Sequence, residues 1–362
     1  MRLLKLAVVL WLLDLFRRYR NRARALASSD TVHLLLSPTA NRVDEEEAEE
    51  TNIPQRVSQG LEYLQANAKR GKVTGAGGVE ISYAEFPSNV SPSACTVLFL
   101  TGWTESMLKY GDLFQELAAH GCRVVAMDHR SHGWSGEASS TARRANKTHV
   151  LEFQDHVTDA LLVVNATTNL QSPLYIMGFS LGGLVALELN KLVPSAGLVL
   201  ISPCLHVNVP VLSRGVMRTL LGLVKHLPKA EEEFVVGHPY ALGAVIPLPP
   251  LNTVTSSKPR AHFWNQIREN HPESCINGMS WRHLYCFVTP EVSASQVLAP
   301  QVLVISAQLD TIVDNSAVFD FCEQRGSGLV RHVHVHGAKH DVLAERNSLR
   351  QLAMKEILGF LK

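Results

Sequence analysis

Short, unbroken apolar runs recur along this chain at 97–100, 124–127, 174–177, 198–201 and 302–305. A strand covered on both faces has no polar side to present, so runs of this length read as central strands of a parallel sheet. Helically spaced stretches separate them, at 110–120, 149–164, 181–192 and 316–324. Strand and helix in alternation predict an α/β fold, a mostly parallel sheet with helices on both faces. A helix over 57–70 precedes the first run. Next, Val79-Glu80-Ile81-Ser82-Tyr83-Ala84-Glu85-Phe86 alternates apolar with polar or small positions, as a half-buried antiparallel strand does. Folded structure is expected from about residue 57.

Between Pro203 and Pro300 the alternation is lost, and the stretch is rich in proline, histidine and tryptophan. Helical pieces are expected at 214–225 and 262–269. Almost a hundred residues between two strands is far beyond an ordinary connection. Sheets of this kind bind ligands at the carboxyl ends of their strands, so an insertion after the 198–201 strand roofs the site. The domain reading is a first core part over 57–203, a cap or lid over 204–297 and a second core part over 298–362.

Ahead of the domain, residues 3–16 are apolar apart from Lys5 and Asp14, and Arg17, Arg18, Arg20, Arg22 and Arg24 follow at once. A membrane-spanning helix needs about 20 apolar residues, which this run lacks. Leu3, Leu6, Leu10 and Leu13 recur at helical spacing, so residues 1–30 read as a membrane-associating or targeting segment, lying in a bilayer interface with its arginines against anionic headgroups. Three rival readings are a secretory signal cleaved near Ala25-Leu26-Ala27, a mitochondrial presequence, and a helix packed on its own domain. The preferred localisation is cytoplasmic with peripheral membrane contact, and the alternatives are mitochondrial or secretory. Residues 31–56 form a polar linker, strongly acidic over 44–50.

Composition narrows this picture. The 362 residues are 46% hydrophobic and 19% charged, enough for one large core. The net charge of +1, from 34 Lys plus Arg against 33 Asp plus Glu, gives no field that draws nucleic acid, so no nucleic-acid partner is expected. Cys95, Cys122, Cys204, Cys275, Cys286 and Cys322 show no CxxC pairing and are expected to be mostly buried free thiols, which favours a reducing compartment. The N-x-S/T triplets at Asn89, Asn146 and Asn165 are too short to decide secretion.

The chemistry centres on Leu174-Tyr175-Ile176-Met177-Gly178-Phe179-Ser180-Leu181-Gly182-Gly183-Leu184, an apolar strand running through G-x-S-x-G into a helix. A serine on such a turn projects its hydroxyl above the sheet, at a helix amino end that favours negative charge. A serine hydroxyl needs a base within hydrogen-bonding reach and a carboxylate to hold that base. Downstream, Asp310 and His340 each lie on a loop after a predicted strand, in the order serine, acid, histidine. Asp314 competes for the acid position but reads as the N-cap of the next helix. A tetrahedral intermediate needs two backbone N–H donors. Leu181 offers one, and Trp103, after the strand that ends in Thr101-Gly102, offers the other.

These motifs, in this order, resemble the lysophospholipase and monoacylglycerol lipase branch of the α/β-hydrolases, the serine aminopeptidase S33-like hydrolases. The resemblance runs from about Gly71 to the end and is loosest in the cap. Its most distinctive pieces are Met127-Asp128-His129-Arg130-Ser131-His132-Gly133-Trp134-Ser135-Gly136, similar to a D-H-R-G-x-G-x-S-G pattern, and Val313-Asp314-Asn315 followed by Gly337-Ala338-Lys339-His340. The stretch 149–159 also looks like the family's helix before the nucleophile strand. The resemblance implies hydrolysis of a single-chain acyl ester, a lysophospholipid or monoacylglycerol, by Ser180, Asp310 and His340 through an acyl-enzyme. It implies no cofactor and no metal. Two departures stand out: Thr101-Gly102 replaces a usual His-Gly, and Ser131 replaces a glycine. Asp128, His129 and Arg130 are expected to form a structural loop network, and His132 has no assigned role. His332, His334 and His336 share one face of a strand and read as alternating polar residues of an edge strand rather than as metal ligands. The alternatives are an acyltransferase or thioesterase on the same triad, and a lipid-binding protein that keeps the fold without turnover.

Overall fold

The computed structural model of the chain describes residues 50–136, 147–167, 172–207, 251–272, 278–288, 296–326 and 328–361, with short pieces at 34–36, 221–223, 234–237 and 246–247 and single residues at 219, 276 and 290. The expected membrane-associating segment 1–30 and most of the helix expected over 214–225 lie outside the described residues. No helix among the described residues is long and apolar enough to cross a membrane.

The strands, in chain order, are β1 (Leu34–Leu36), β2 (Lys69–Thr74), β3 (Glu80–Phe86), β4 (Cys95–Leu100), β5 (Cys122–Met127), β6 (Lys147–Thr148) and β7 (Leu174–Phe179). They continue with β8 (Gly197–Ile201), β9 (Phe234–Gly237), β10 (Ile246–Pro247), β11 (Gly278–Ser280), β12 (Val302–Ala307) and β13 (Val330–Val335). The helices are α1 (Ile53–Asn67), α2 (Gly111–Ala119), α3 (Phe153–Thr167), α4 (Leu181–Asn190), α5 (Leu251–Val254), α6 (Lys258–Asn270), α7 (Trp281–Val288), α8 (Asn315–Arg325) and α9 (Asn347–Phe360).

Nine strands form the main sheet in the order β1-β13-β12-β8-β7-β4-β5-β3-β2. Every neighbouring pair from β1 to β5 in that order is parallel, and β3 is antiparallel to both β5 and β2. Along β4, Leu98 and Leu100 enter one core with Val157, Leu184, Phe287 and Phe321, while Val97 and Phe99 enter the other with Leu64, Phe114, Trp264 and Ile357. Side chains alternate across a sheet, so helices on both faces require apolar residues at consecutive positions. This is why the central strands read as unbroken apolar runs. A smaller sheet, in the order β10-β9-β11-β6, joins the chain ahead of α3 to the 204–297 stretch. Within that stretch α6 packs Trp264 and Ile267 into the main core, and Arg260 donates to Asp112 of α2 at 2.9 Å.

Three expectations need correction. The helix expected over 57–70 begins at Ile53 and ends at Asn67, and Lys69–Thr74 is a strand. That strand is the outermost one of the sheet and leaves Lys69 and Arg70 exposed, so it carries no apolar alternation. Second, Leu34–Leu36, expected in the linker, pairs in parallel with β13. The outer edge of β13 is therefore covered, and its histidines are not those of an edge strand; His332 and His334 instead lie on either side of the Ser306 hydroxyl, each at 2.8 Å. Third, Cys95 and Cys122 are disulfide-bonded. Parallel register sets them side by side at the start of β4 and β5, a neighbourhood that spacing along the chain does not reveal. Cys204, Cys286 and Cys322 are buried free thiols, as expected.

Candidate active site

The site is built where β7 ends. Ser180 takes φ 51° and ψ −113°, a left-handed conformation that non-glycine residues rarely adopt. Hydrogen bonds on both sides hold it there, with its amide donating to Ile201 O at 2.9 Å and its carbonyl accepting from the Cys204 amide at 2.9 Å. The turn is tight enough to dictate its neighbours. A Cβ at Gly178 would lie 2.1 Å from the Gly182 carbonyl oxygen, and one at Gly182 would lie 2.1 Å from that of Leu100. The two glycines of G-x-S-x-G are therefore required by backbone approach, and strain of this kind is retained at sites where it positions a reacting group.

Ser180, Asp310 and His340 come together. His340 Nε2 lies 3.0 Å from Ser180 Oγ, and His340 Nδ1 lies 2.7 Å from Asp310 Oδ2. The other carboxylate oxygen of Asp310 accepts from the Ile312 and Val313 amides at 2.8 and 3.0 Å, which fixes its orientation. All three side chains are buried. Asp314, the competing acid, caps α8 by accepting from the Ser316 amide at 2.9 Å and takes no part in this relay.

Burial works against charge on His340, but the Asp310 carboxylate outweighs it through charge and hydrogen bond, with further help from Asp341 and Glu105. The imidazole pKa is thereby raised above its ordinary 6.5. A general base acts in its neutral form, so activity is lost as pH falls through the raised value. We expect the acid limb of the kcat/KM profile above pH 6.5, and Asp341→Asn to move it to lower pH. A limb that stays in place in Asp341→Asn assigns the titration to another group.

Between the end of β4 and α2 lies the loop expected to supply an oxyanion donor. The Gly102 amide donates to Glu105 Oε2 at 3.0 Å. Neither the Trp103 nor the Leu181 amide donates to any group among the described residues, which leaves both available to a substrate oxygen. Glu105 also accepts from the Tyr110 hydroxyl and from the Lys109 ammonium, which bridges to Asp341, the residue after His340. Burial opposes the charge on Lys109, but Asp341 and Glu105 outweigh it and hold its pKa above the usual value. This ion cluster ties the oxyanion loop to the histidine loop. Sequence reasoning missed it; Glu105 and Lys109 show the i, i+4 spacing of a helical ion pair, but nothing local points to Asp341.

The D-H-R-S loop does structural work. Asp128 accepts from the Met107 and Trp134 amides, and His129 Nε2 donates to Thr101 O at 3.1 Å. Arg130 grips Asp159 of α3 with two N–H groups, at 2.7 and 2.8 Å, and also reaches Asp155 and the Ala76 carbonyl. Ser131, which stands where the resembling pattern has glycine, takes φ 63°, so the departure keeps a backbone shape suited to glycine. His132, without a role in the sequence reading, joins His129, His156 and His283 in a closed square of buried rings with centroids 5.1–6.4 Å apart. Burial drives the pKa of His129 down to about 3 and that of His132 to about 4, so both rings are neutral. Their N–H groups face carbonyls, Thr101 O and Arg130 O, and their other nitrogens, His129 Nδ1 and His132 Nε2, are bare lone pairs with no partner among the described residues. No group of three or more His, Cys, Asp or Glu among the described residues is arranged to hold a metal ion.

Known proteins resemble this chain in sequence and in fold. A probable lysophospholipase L2 of Haemophilus influenzae is 22% identical over 305 residues, 80% of this chain and 90% of that protein. Lysophospholipase L2 of Escherichia coli K12 is 26% identical over 285 residues, 73% and 79% of the two chains. Among solved structures, a soluble variant of monoglyceride lipase from Saccharomyces cerevisiae superposes with a TM-score of 0.63 at 16% identity, covering 82% of this chain and 95% of its own, which shows a common α/β-hydrolase fold. The family model described as serine aminopeptidase, S33 matches residues 91–347, a span that takes in Trp103, Ser180, Asp310 and His340, and the chain belongs to that hydrolase family.

Proposed function

We propose that this ester hydrolase cleaves the acyl ester of a single-chain lipid, a lysophospholipid or a monoacylglycerol, through an acyl-enzyme on Ser180. The observation that carries the reading is the continuous relay Ser180–His340–Asp310 beside two unengaged amides. Ser180 Oγ attacks the ester carbonyl as His340 Nε2 takes its proton, and Asp310 steadies the imidazolium. The carbonyl oxygen becomes an oxyanion, received by the Leu181 and Trp103 amides. His340 returns the proton to the leaving alcohol, then activates the water that frees the fatty acid. The cycle needs only groups of the chain and water. The names of the bacterial relatives and of the yeast structure support the lipid class. Residues 1–30 would hold the enzyme at a membrane surface, where such lipids reside.

The test is to incubate the protein with a fluorophosphonate, map the adduct, and assay fatty-acid release from lysophosphatidylcholine and from monoacylglycerol. The expected result is one adduct, on Ser180, and turnover of at least one lipid. A folded protein that takes up no label and releases no fatty acid is a binding protein on a hydrolase scaffold.

A further inference from the structure

We propose that Thr148 is a positioning residue that holds the oxyanion loop in its working shape by gripping the Trp103 indole. This rests on the reading of Trp103 as an oxyanion donor, since the residue that offers the amide also carries the indole. Trp103 Nε1 donates to Thr148 Oγ1 at 3.1 Å. Thr148 is fully buried on β6, paired with Met279 of β11, and so belongs to the smaller sheet rather than to the main one. Its hydroxyl also lies 2.7 Å from His283 Nδ1 of α7 and 3.3 Å from the Gly278 carbonyl. One arrangement uses every group. The hydroxyl accepts from the Trp103 and His283 N–H groups and donates its single proton to Gly278 O. Burial holds His283 neutral, and in this arrangement its single proton sits on Nδ1.

The two residues before Trp103 are held by other groups. Thr101 O is held by His129, and the Gly102 amide by Glu105. Immediately after Trp103, Thr104 takes φ 67°, a conformation that a β-branched residue adopts only when its surroundings impose it. Restraint of Thr101 and Gly102 alone leaves Thr104 free to relax, and the Trp103 amide turns with it. The indole anchor, with Phe287 of α7 edge-on to the same ring at 6.3 Å, restrains Trp103 itself. Through His283, Gly278 and Phe287 the segment between β8 and β12 thereby reaches the chemical step.

The experiment compares wild type with Thr148→Val, Thr148→Ser and Trp103→Phe on p-nitrophenyl acetate, whose acyl group is too short to depend on a lipid channel. Thermal unfolding of each variant checks the fold. We expect Thr148→Val and Trp103→Phe each to lower kcat by about 10- to 100-fold, within the range of losing an oxyanion donor, with KM within about twofold of wild type. The double variant falls no further than either single one, and Thr148→Ser, which keeps the hydroxyl, stays within about twofold of wild type. Trp103→Phe keeps the test open if Thr148→Val does not fold. A folded variant with wild-type kcat, or two losses that multiply in the double variant, overturns the proposal. A wild-type protein inert to both the ester and a fluorophosphonate removes the underlying reading and this proposal with it, whereas active wild type with unaffected variants removes this proposal alone.

Discussion

Ser180→Ala and His340→Ala are each expected to lower kcat for ester hydrolysis by about 10⁴- to 10⁶-fold, with the double variant no slower than either. The reason lies in the relay. In the proposed mechanism the hydroxyl is a nucleophile only while His340 Nε2, 3.0 Å away, takes its proton. Removing either partner ends the same step, so the second removal has nothing left to abolish. What is expected to survive is the part that the proposed oxyanion donors, the Leu181 and Trp103 amides, and substrate binding supply. Asp310→Asn keeps the shape but turns a donor toward His340 Nδ1, favouring the wrong tautomer, and costs about 10⁴-fold. Steady-state turnover of a chromogenic ester, with active sites titrated to exclude contaminating wild type, measures all three. If His340→Ala stayed within 100-fold of wild type, another group would be the base.

Arg130→Met is expected to destabilise the fold by about 3–5 kcal/mol without touching the relay, because it leaves a buried charge without its partner. Asp159 is completely buried, and Arg130 supplies two of its hydrogen bonds; the Ala76 amide supplies another at 3.0 Å. With the guanidinium gone, an apolar side chain faces the carboxylate. Burial already raises the Asp159 pKa against the pull of Arg130. In the variant the carboxyl takes a proton more readily, so the loss is larger at pH 8 than at pH 5. Thermal unfolding reads the effect as a fall on the order of 5–15 °C. Adding Asp159→Leu recovers much of it, since an apolar pair of similar volume has no charge to desolvate. A shift of less than about 1 kcal/mol in the single variant would mean that water reaches Asp159.

What could be read from the chain follows what is local. Each central strand announced itself because both of its faces are buried. Ser180 was legible because its glycines, strand and helix are contiguous, and Asp310 and His340 because each follows a strand. Features made by distant segments were not. Lys109 and Asp341 are 232 positions apart, and Arg130 meets Asp159 across 29. The histidine square draws on 129, 132, 156 and 283, and no single window of sequence contains it. Register explains the disulfide as well, since Cys95 faces Cys122 only once β4 and β5 are paired. The strands β1 and β2 escaped for a different reason. One is three residues long and the other has a solvent-facing composition, so neither carries the alternation that betrays a half-buried strand.

The placement of β8 between β7 and β12 reaches beyond this one chain. Phe179, Ile201 and Ile305 lie in one line of register, so the spacing between the turn that bears Ser180 and the loop that bears Asp310 is set by two strand widths of about 5 Å each. The long stretch between β8 and β12 leaves the carboxyl end of β8 and re-enters at the amino end of β12, its parallel neighbour, so it is a crossover of fixed span, and lengthening such a connection costs little. It is stitched to the histidine loop by the Asp341 amide donating to Val254 O at 2.8 Å, the Thr255 hydroxyl to Ala344 O at 2.6 Å and the Ser256 amide to Glu345 Oε1 at 3.1 Å. Exchange of this stretch is limited by those stitches, by α6 in the main core with Arg260 on Asp112, and by the α7 contacts to Thr148 and Trp103. A change in this stretch that keeps those contacts leaves the spacing of Ser180 and Asp310 to strand pairing alone.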